Sequence, residues 1–244
     1  MISRLLSVLS VLLGGLSLLG FVAFLLAGPF DLVPSSLGPG AALAWDGALC
    51  LAFFIQHSVM VRQAFRGLLG RTVPPRYHPA LYSIASGVVL LLLVGLWQTT
   101  EIVIFEAQGS ARWALRGLCA AAVVLFGWAM KALGPFDLFG LEPIRHQGPG
   151  AASEERPLAA RGPYRFVRHP LYGLFIALLW TAPDVSADRL LFNALFTGWI
   201  VIGTVLEERD LVARFGEPYR EYQSSVPMLV PWRGPAAPKA GGVR

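Results

Sequence analysis

The sequence predicts an all-α fold, a polytopic membrane helix bundle with about six transmembrane segments (five to six). Of its 244 residues, 55% are hydrophobic and only 14% are charged. The charged residues are unevenly spread, because long apolar runs alternate with short polar ones. A run of about 20 apolar residues is long enough to cross a bilayer as a helix. The composition therefore excludes an ordinary soluble domain and indicates an integral membrane protein.

Six apolar segments are the candidate spans, at about 5–27, 43–61, 81–98, 113–133, 168–183 and 189–206. The first follows Arg4, as the apolar part of a signal peptide would, but it is too long for one and further spans follow it. We therefore expect a retained helix. The fifth ends at Pro183 and is short for a span. It is expected to be tilted, or to begin within the polar residues at Arg165.

The basic residues predict the orientation. When both termini and the loops 62–80 and 134–167 are placed on one side, all 20 lysines and arginines except Arg112, Arg116 and Arg189 lie there. Basic residues are retained on the cytoplasmic side, so both termini are expected in the cytoplasm. The net charge of +5 is then explained by topology and by contact with the lipid bilayer, and we expect no nucleic-acid partner.

The chain is predicted to be a single integral-membrane domain, 1–232. Its N-terminal part, 1–133, carries four spans, and its C-terminal part, 160–231, carries the polar motifs. The glycine- and proline-rich residues 147–157 predict an exposed flexible loop. The proline- and glycine-rich residues 233–244 predict a disordered tail.

The first polar motif lies at 161–172 and contains the run Arg168-His-Pro-Leu-Tyr172. Pro170 suits the first turn of a helix, so His169 is expected at a helix entrance where backbone N–H groups are unpaired. An anionic ligand group could bind there. Anchoring of the helix end in lipid headgroups explains this run equally well. A similar run, Arg76-Tyr-His-Pro-Ala-Leu-Tyr82, opens the third span and is interpreted as a helix start.

The second polar motif follows the sixth apolar segment. Glu207 and Glu208 end that segment, and two carboxylates at the end of a membrane helix are costly unless they are paired or hydrated. Adjacent helical positions differ by about 100°, so one carboxylate is expected to meet a cationic ligand and the other an arginine. The helix is predicted to break at Gly216 and to restart at Pro218, placing Tyr219 and Tyr222 on one face. Such an aromatic face suits a flat ring or a cation.

Together the two motifs resemble the signature of the integral-membrane methyltransferases that include isoprenylcysteine carboxyl methyltransferase and the phospholipid methyltransferases. The resemblance covers residues 160–231 and rests on Gly162-Pro-Tyr-Arg-Phe-Val-Arg-His-Pro-Leu-Tyr-Gly173 together with Glu207-Glu-Arg-Asp-Leu211, Phe215-Gly216 and Val226-Pro227. It implies that S-adenosylmethionine binds at the cytosolic ends of the C-terminal helices. The residues implied to bind this cofactor are Tyr164, Arg168, His169, Pro170, Tyr172, Glu207, Glu208 and Tyr219.

Two further segments narrow the resemblance. Gln56-His-Ser-Val-Met-Val-Arg62 closes the second span, and Leu133-Gly-Pro-Phe-Asp-Leu-Phe-Gly-Leu141 closes the fourth. Both are similar to the bacterial methanethiol S-methyltransferases and to relatives described as nitrite-reductase-associated membrane proteins. This resemblance implies methyl transfer to a small hydrophobic thiol, with dimethyl sulfide as the product from methanethiol, in the bacterial inner membrane.

An ionisable residue at membrane depth is a functional candidate, and this makes His57 the expected base. Asp137 is expected to orient His57 or to cap a helix, and the two are the predicted catalytic residues. Gln56, Phe136 and Trp180 are predicted to line the substrate, although the two aromatic residues are explained as well by packing or lipid contact. No metal is expected. A prenylcysteine carboxylate or a lipid amine remains an alternative acceptor, and a haem-linked, structural or transport role remains an alternative function.

Overall fold

The computed structural model describes residues 1–33, 36–134, 136–145 and 161–236. The predicted flexible loop at 147–157 and residues 237–244 of the predicted tail lie outside these ranges. Within them, the chain forms nine α-helices and two short strands, in the order α1 (Ile2–Ala27), α2 (Pro39–Met60), α3 (Gln63–Leu69), α4 (His78–Gly95), β1 (Val103–Glu106), α5 (Gly109–Leu133), α6 (Glu142–Arg145), α7 (Pro170–Trp180), β2 (Asp184–Ser186), α8 (Ala187–Phe215) and α9 (Glu217–Ser225). The strands pair as a two-stranded sheet.

Five helical segments in the described residues are long and apolar enough to cross a membrane. They are α1, α2, the segment Pro75–Gly95 that contains α4, α5 and α8. The predicted fifth segment forms only the 11-residue helix α7, about 16 Å long, which is roughly half of the hydrocarbon thickness. The prediction of a helical membrane protein with five to six spans is confirmed.

The contacts within the chain define two compact units. The first comprises Met1–Ile104, Phe136–Glu154 and Val185–Phe192, and the second comprises Phe105–Pro135, Glu155–Asp184 and Asn193–Arg244. The second unit carries the two polar motifs, and the first carries His57 and Asp137.

In the first unit, α4 packs against both α1 and α2. The helices α1 and α4 approach each other closely at Gly87, where an added Cβ would lie 2.9 Å from the backbone carbonyl carbon and oxygen of Leu13. Small residues let the two backbones come this close. Helices within a membrane depend on such close packing, because the hydrophobic effect does not drive their association in lipid. Gly87 therefore sets the distance between the two helices.

Two buried carboxylates hold the chain that follows α4. Asp46 of α2 accepts the backbone N–H of Gln98 at 2.9 Å. Asp188, in the first turn of α8, accepts the indole N–H of Trp97 and both the backbone N–H and the hydroxyl of Thr100. Polar groups at membrane depth need such partners. These contacts give both carboxylates a structural role.

In the second unit, α7 runs antiparallel to the middle of α8, between Phe196 and Glu207. Near one end of α7 the indole N–H of Trp180 donates to the hydroxyl of Thr197, and midway Phe175 contacts the ring of Phe196. At the other end, the backbone N–H of His169 donates to the carbonyl of Met228, in the segment that follows α9. The chain after α9 thus returns to the start of α7.

The break after α8 occurs where the sequence predicts it. The helix ends at Phe215, Gly216 has a φ of 62°, and α9 begins at Glu217 with Pro218 in its first turn. A positive φ is readily adopted only by glycine, so the chain turns sharply here. Residues 233–236 of the predicted tail are described, and Ala236 exchanges hydrogen bonds with Arg165.

We expect Gly87→Ala to destabilise the protein, because the new methyl group meets backbone atoms that cannot rotate away. Overpacking of this kind costs about 1–3 kcal/mol in free energy of unfolding. Thermal unfolding of the detergent-solubilised protein measures the loss. The matched control is Gly15→Ala on α1, whose Cβ would meet nothing within 4 Å. Equal unfolding temperatures for the two variants would contradict the proposed close packing.

Candidate active site

The carboxylate of Glu208, in the second unit, accepts five hydrogen bonds from described residues. Arg168 supplies two of them, from Nε to Oε1 and from Nη2 to Oε2, each at 2.8 Å. Only 9% of the Arg168 side chain and 8% of the Glu208 side chain are exposed. This two-pronged geometry is the strongest form of arginine–carboxylate pairing, and it compensates the burial of both charges.

The other three donors tie α7 and α9 to the same carboxylate. His169 Nε2 and the Tyr219 hydroxyl each lie 2.7 Å from Oε1, and Gln223 donates its amide to Oε2. Tyr219 and Gln223 are one helical turn apart on α9, so both reach the same partner. Burial, and then the hydrogen bond to Glu208, raises the pKa of Tyr219, which keeps its hydroxyl protonated as a donor.

Arg168 also closes the C-terminal end of α9. Its Nη1 donates to the carbonyl oxygens of Gln223 and Val226, and its backbone N–H donates to the carbonyl of Pro227. The last carbonyls of a helix have no partner within the helix, and a cation near them is favourable. One arginine therefore fixes the end of α9 and the carboxylate of α8 together.

Glu207 is in a different environment from its neighbour. Its side chain is 44% exposed, and its Oε2 accepts the hydroxyl of Tyr172 at 2.8 Å. The ring of Tyr172 lies parallel to that of His169, with centroids 5.4 Å apart and an angle of 4° between the planes. His169 Nδ1 is 4.0 Å from the Glu207 carboxylate. Of the two carboxylates, Glu207 is the one with room for an external cation.

Tyr164 lies near the same exposed carboxylate. Burial, and then the negative charge of Glu207, raises the pKa of its hydroxyl. Its carbonyl oxygen accepts the hydroxyl of Tyr222. Burial raises the pKa of Tyr222 as well, so that this hydroxyl stays protonated and holds the position of Tyr164. Glu207 is thus accompanied by two tyrosines and one histidine, all of them among the residues predicted to bind the cofactor.

A cavity of about 410 Å³ lies beside the Glu208 end of α8. Val205, Val212 and Met228 supply apolar walls. Glu208, Arg209 and Gln223 complete the lining. This size lies within the range of small-molecule sites.

The first unit holds a second polar cluster, around His57 in the last turn of α2. The Tyr82 hydroxyl oxygen on α4 lies 2.7 Å from His57 Nε2 and 3.0 Å from Nδ1. Gln56 donates its amide to the Ser86 hydroxyl at 3.2 Å and to the sulfur of Met60. Sequence motifs predicted His57 and Gln56 here but not Tyr82 or Ser86.

Both oxygens of Asp137 are used as a helix cap. Oδ1 accepts the backbone N–H of Leu141 and Oδ2 that of Glu142, at 2.8 and 2.7 Å. Of the two roles that the sequence left open for this residue, helix capping is the one that these hydrogen bonds support. A role of Asp137 in catalysis stays a prediction.

The remaining predicted residues are placed as follows. Pro170 occupies the first position of α7, where its missing N–H costs nothing. Phe136 is 61% exposed and Trp180 is 46% exposed. Their contact with a substrate stays a prediction. Among the residues that the structure describes, no three histidine, cysteine, aspartate or glutamate side chains are grouped closely enough to hold a metal ion.

Comparison with known proteins identifies a protein family that this chain matches. The model of the family described as NnrU protein matches residues 47–233. A methanethiol S-methyltransferase of Pseudomonas deceptionensis is 36% identical over 214 residues, which are 82% of this chain and 79% of that protein. One from Mycobacterium tuberculosis is 36% identical over 197 residues, covering 79% of this chain and 80% of the relative.

A second kind of relative also matches. Nurim of Mus musculus is 30% identical over 183 residues, or 70% of this chain and 68% of that protein. No solved structure matches the chain significantly. These matches confirm the resemblance that the sequence motifs predicted.

Glu208→Gln should destabilise the second unit far more than Glu207→Gln. The first change leaves the buried Arg168 without its anionic partner, and breaking such a pair costs about 3–5 kcal/mol. The second changes a half-exposed contact worth at most about 1 kcal/mol. Tryptophan fluorescence during thermal unfolding measures both variants against the wild type. Equal losses would show that the two carboxylates are not divided into a structural and an exposed one.

Proposed function

The chain belongs to the NnrU protein family, and we propose that it transfers the methyl group of S-adenosylmethionine to a small thiol such as methanethiol, giving dimethyl sulfide. The similarity to proteins named methanethiol S-methyltransferase, over most of both chains, carries this proposal. The two clusters of polar side chains support it, because each supplies the chemistry that one of the two reactants needs.

The surroundings of Glu207 fit the methyl donor. S-adenosylmethionine carries an ammonium group, a sulfonium and an aromatic base, and when bound it supplies an electrophilic methyl carbon. The half-exposed carboxylate of Glu207 suits the ammonium, and the rings of Tyr164 and Tyr172 suit the flat base or the sulfonium cation. Glu208 is already saturated with donors, so its task is to hold these groups in place.

The surroundings of His57 fit the acceptor. A thiol has to lose its proton before its sulfur becomes a good nucleophile, and a cysteine-like thiol has a pKa near about 8.5. A neutral imidazole is a suitable proton acceptor. A small apolar thiol reaches this residue from the lipid phase, with Gln56, Phe136 and Trp180 as proposed substrate contacts. Asp137 acts on the acceptor side through the helix that it caps.

We assign the protein to the bacterial inner membrane with both termini in the cytoplasm. The distribution of lysine and arginine supports this orientation, because the basic residues cluster at the termini and in two loops. The donor is a charged, water-soluble molecule, so it arrives from the cytoplasm.

Purified protein in detergent or vesicles, supplied with methyl-labelled S-adenosylmethionine, should transfer the label to methanethiol. We expect faster transfer to methanethiol than to a longer thiol, and little transfer to a prenylcysteine analogue or a phospholipid amine. Preference for the prenylcysteine or the phospholipid would replace the thiol as acceptor. No transfer to any acceptor, by protein that binds the demethylated donor, would overturn the proposed reaction.

Two histidine variants test whether His57 is the base that takes the proton of the thiol. His57→Ala should lose thiol methylation and keep its affinity for the demethylated donor. His78→Ala should keep specific activity, because His78 bonds only the carbonyl of Val73 among the described contacts. Full turnover by His57→Ala would contradict its assignment as the base.

A further inference from the structure

The hydroxyl oxygen of Tyr82 lies against the His57 ring, close to both of its nitrogens. Both ring nitrogens lie within 3.0 Å of this one oxygen, and the two ring centroids are 5.1 Å apart. On another side of the imidazole, Phe53 packs with its centroid 5.3 Å away. A proton that reaches a nitrogen of His57 from this direction therefore passes the Tyr82 oxygen first.

A second polar pair lies beside the first. Ser86, one helical turn further along α4 than Tyr82, accepts the amide N–H of Gln56 from α2 at 3.2 Å. The four polar side chains thus form a small network between two apolar helices, made of two hydrogen-bonded pairs. Polar groups at membrane depth are costly, and such a group of them is a functional candidate.

One atom in this network indicates a ligand. Gln56 Oε1 is buried and has no hydrogen-bond partner among the described residues. A buried acceptor without a partner costs about 1–3 kcal/mol, so a bound group that donates a hydrogen bond would relieve the cost. The network therefore combines an unfilled hydrogen-bond acceptor with a hydroxyl beside a basic nitrogen.

We propose that Tyr82 is a catalytic residue that relays the proton of the bound thiol to His57. This inference rests on the proposed thiol methylation and adds the group through which the proton leaves. The S–H bond breaks as the Tyr82 oxygen gains that proton, while Tyr82 gives its own proton to a nitrogen of His57. The sulfur uses the freed electron pair to bond the methyl carbon, and the bond between that carbon and the sulfonium sulfur breaks. Charge balances, because a cationic donor becomes neutral while neutral His57 becomes cationic.

The relay predicts a pH-dependent defect in Tyr82→Phe. This variant keeps the ring and loses the hydroxyl, so only thiol that ionises by itself in solution reacts. At pH 7 its turnover should fall by about 10²-fold, the lower range of acid–base contributions. The deficit should shrink about tenfold for each pH unit as the pH rises towards the pKa of the thiol. A purely structural role would give a loss that does not change with pH.

The matched control is Tyr77→Phe, which removes a hydroxyl that bonds Ser3 from a buried ring of the same unit. It should keep the wild-type pH profile. In Tyr82→Phe, calorimetric affinity for the demethylated donor and the unfolding temperature should match those of Tyr77→Phe, which separates a chemical defect from misfolding. The double variant with His57→Ala should be no slower than the slower single variant, because residues of one relay act as a unit.

Three results would overturn the relay. A pH-independent loss in Tyr82→Phe, no loss at all, or additive losses in the double variant each exclude it. In all three cases wild-type thiol methylation would still stand. Absence of thiol methylation by the wild-type protein would instead remove the proposed function, and the relay with it.

Discussion

The buried pair of Arg168 and Glu208 is the interaction on which the C-terminal part of this protein depends. A buried carboxylate is expensive, and the five hydrogen bonds that Glu208 accepts come from the two residues before α7 and from α9. Because one carboxylate needs all of these donors, the three helices have to meet at one point. Removing any donor leaves a buried charge partly unpaired, which makes the arrangement specific as well as stable.

This constraint explains why the chain carries two adjacent glutamates. Glu208 is buried, and its carboxylate is fully hydrogen-bonded by its partners. Glu207, about 100° around the helix, contacts Tyr172 and is partly exposed. Glu208 orients His169 through a hydrogen bond, and α8 positions Glu207 beside them. An electrostatic site prepared in this way needs little reorganisation when a cation arrives, which is the general advantage of preorganised polar groups.

Much of the fold could be predicted from the sequence, because apolar run lengths, Pro170 and Gly216 act locally. The predicted helix break, the proline-led start of α7 and the shortness of the fifth segment all follow from neighbouring residues. The division of labour between Glu207 and Glu208 could not be predicted, since it depends on which helix face meets Arg168, 40 residues away. Tyr82 was missed for the same reason. Its motif predicts a helix start, but its contact with His57 arises only when α2 and α4 pack.

The affinity of Glu207→Gln for S-adenosylhomocysteine, the demethylated donor that keeps the ammonium group, tests the central claim most directly. Isothermal titration calorimetry should show binding weaker by about 10- to 100-fold than for the wild type, because a hydrogen bond to a charged group contributes about 1.5–3 kcal/mol. Glu217→Gln, an exposed glutamate on α9 paired with Arg220, should bind like the wild type. Unchanged affinity in Glu207→Gln would contradict the assignment of the donor to the Glu207 side of α8.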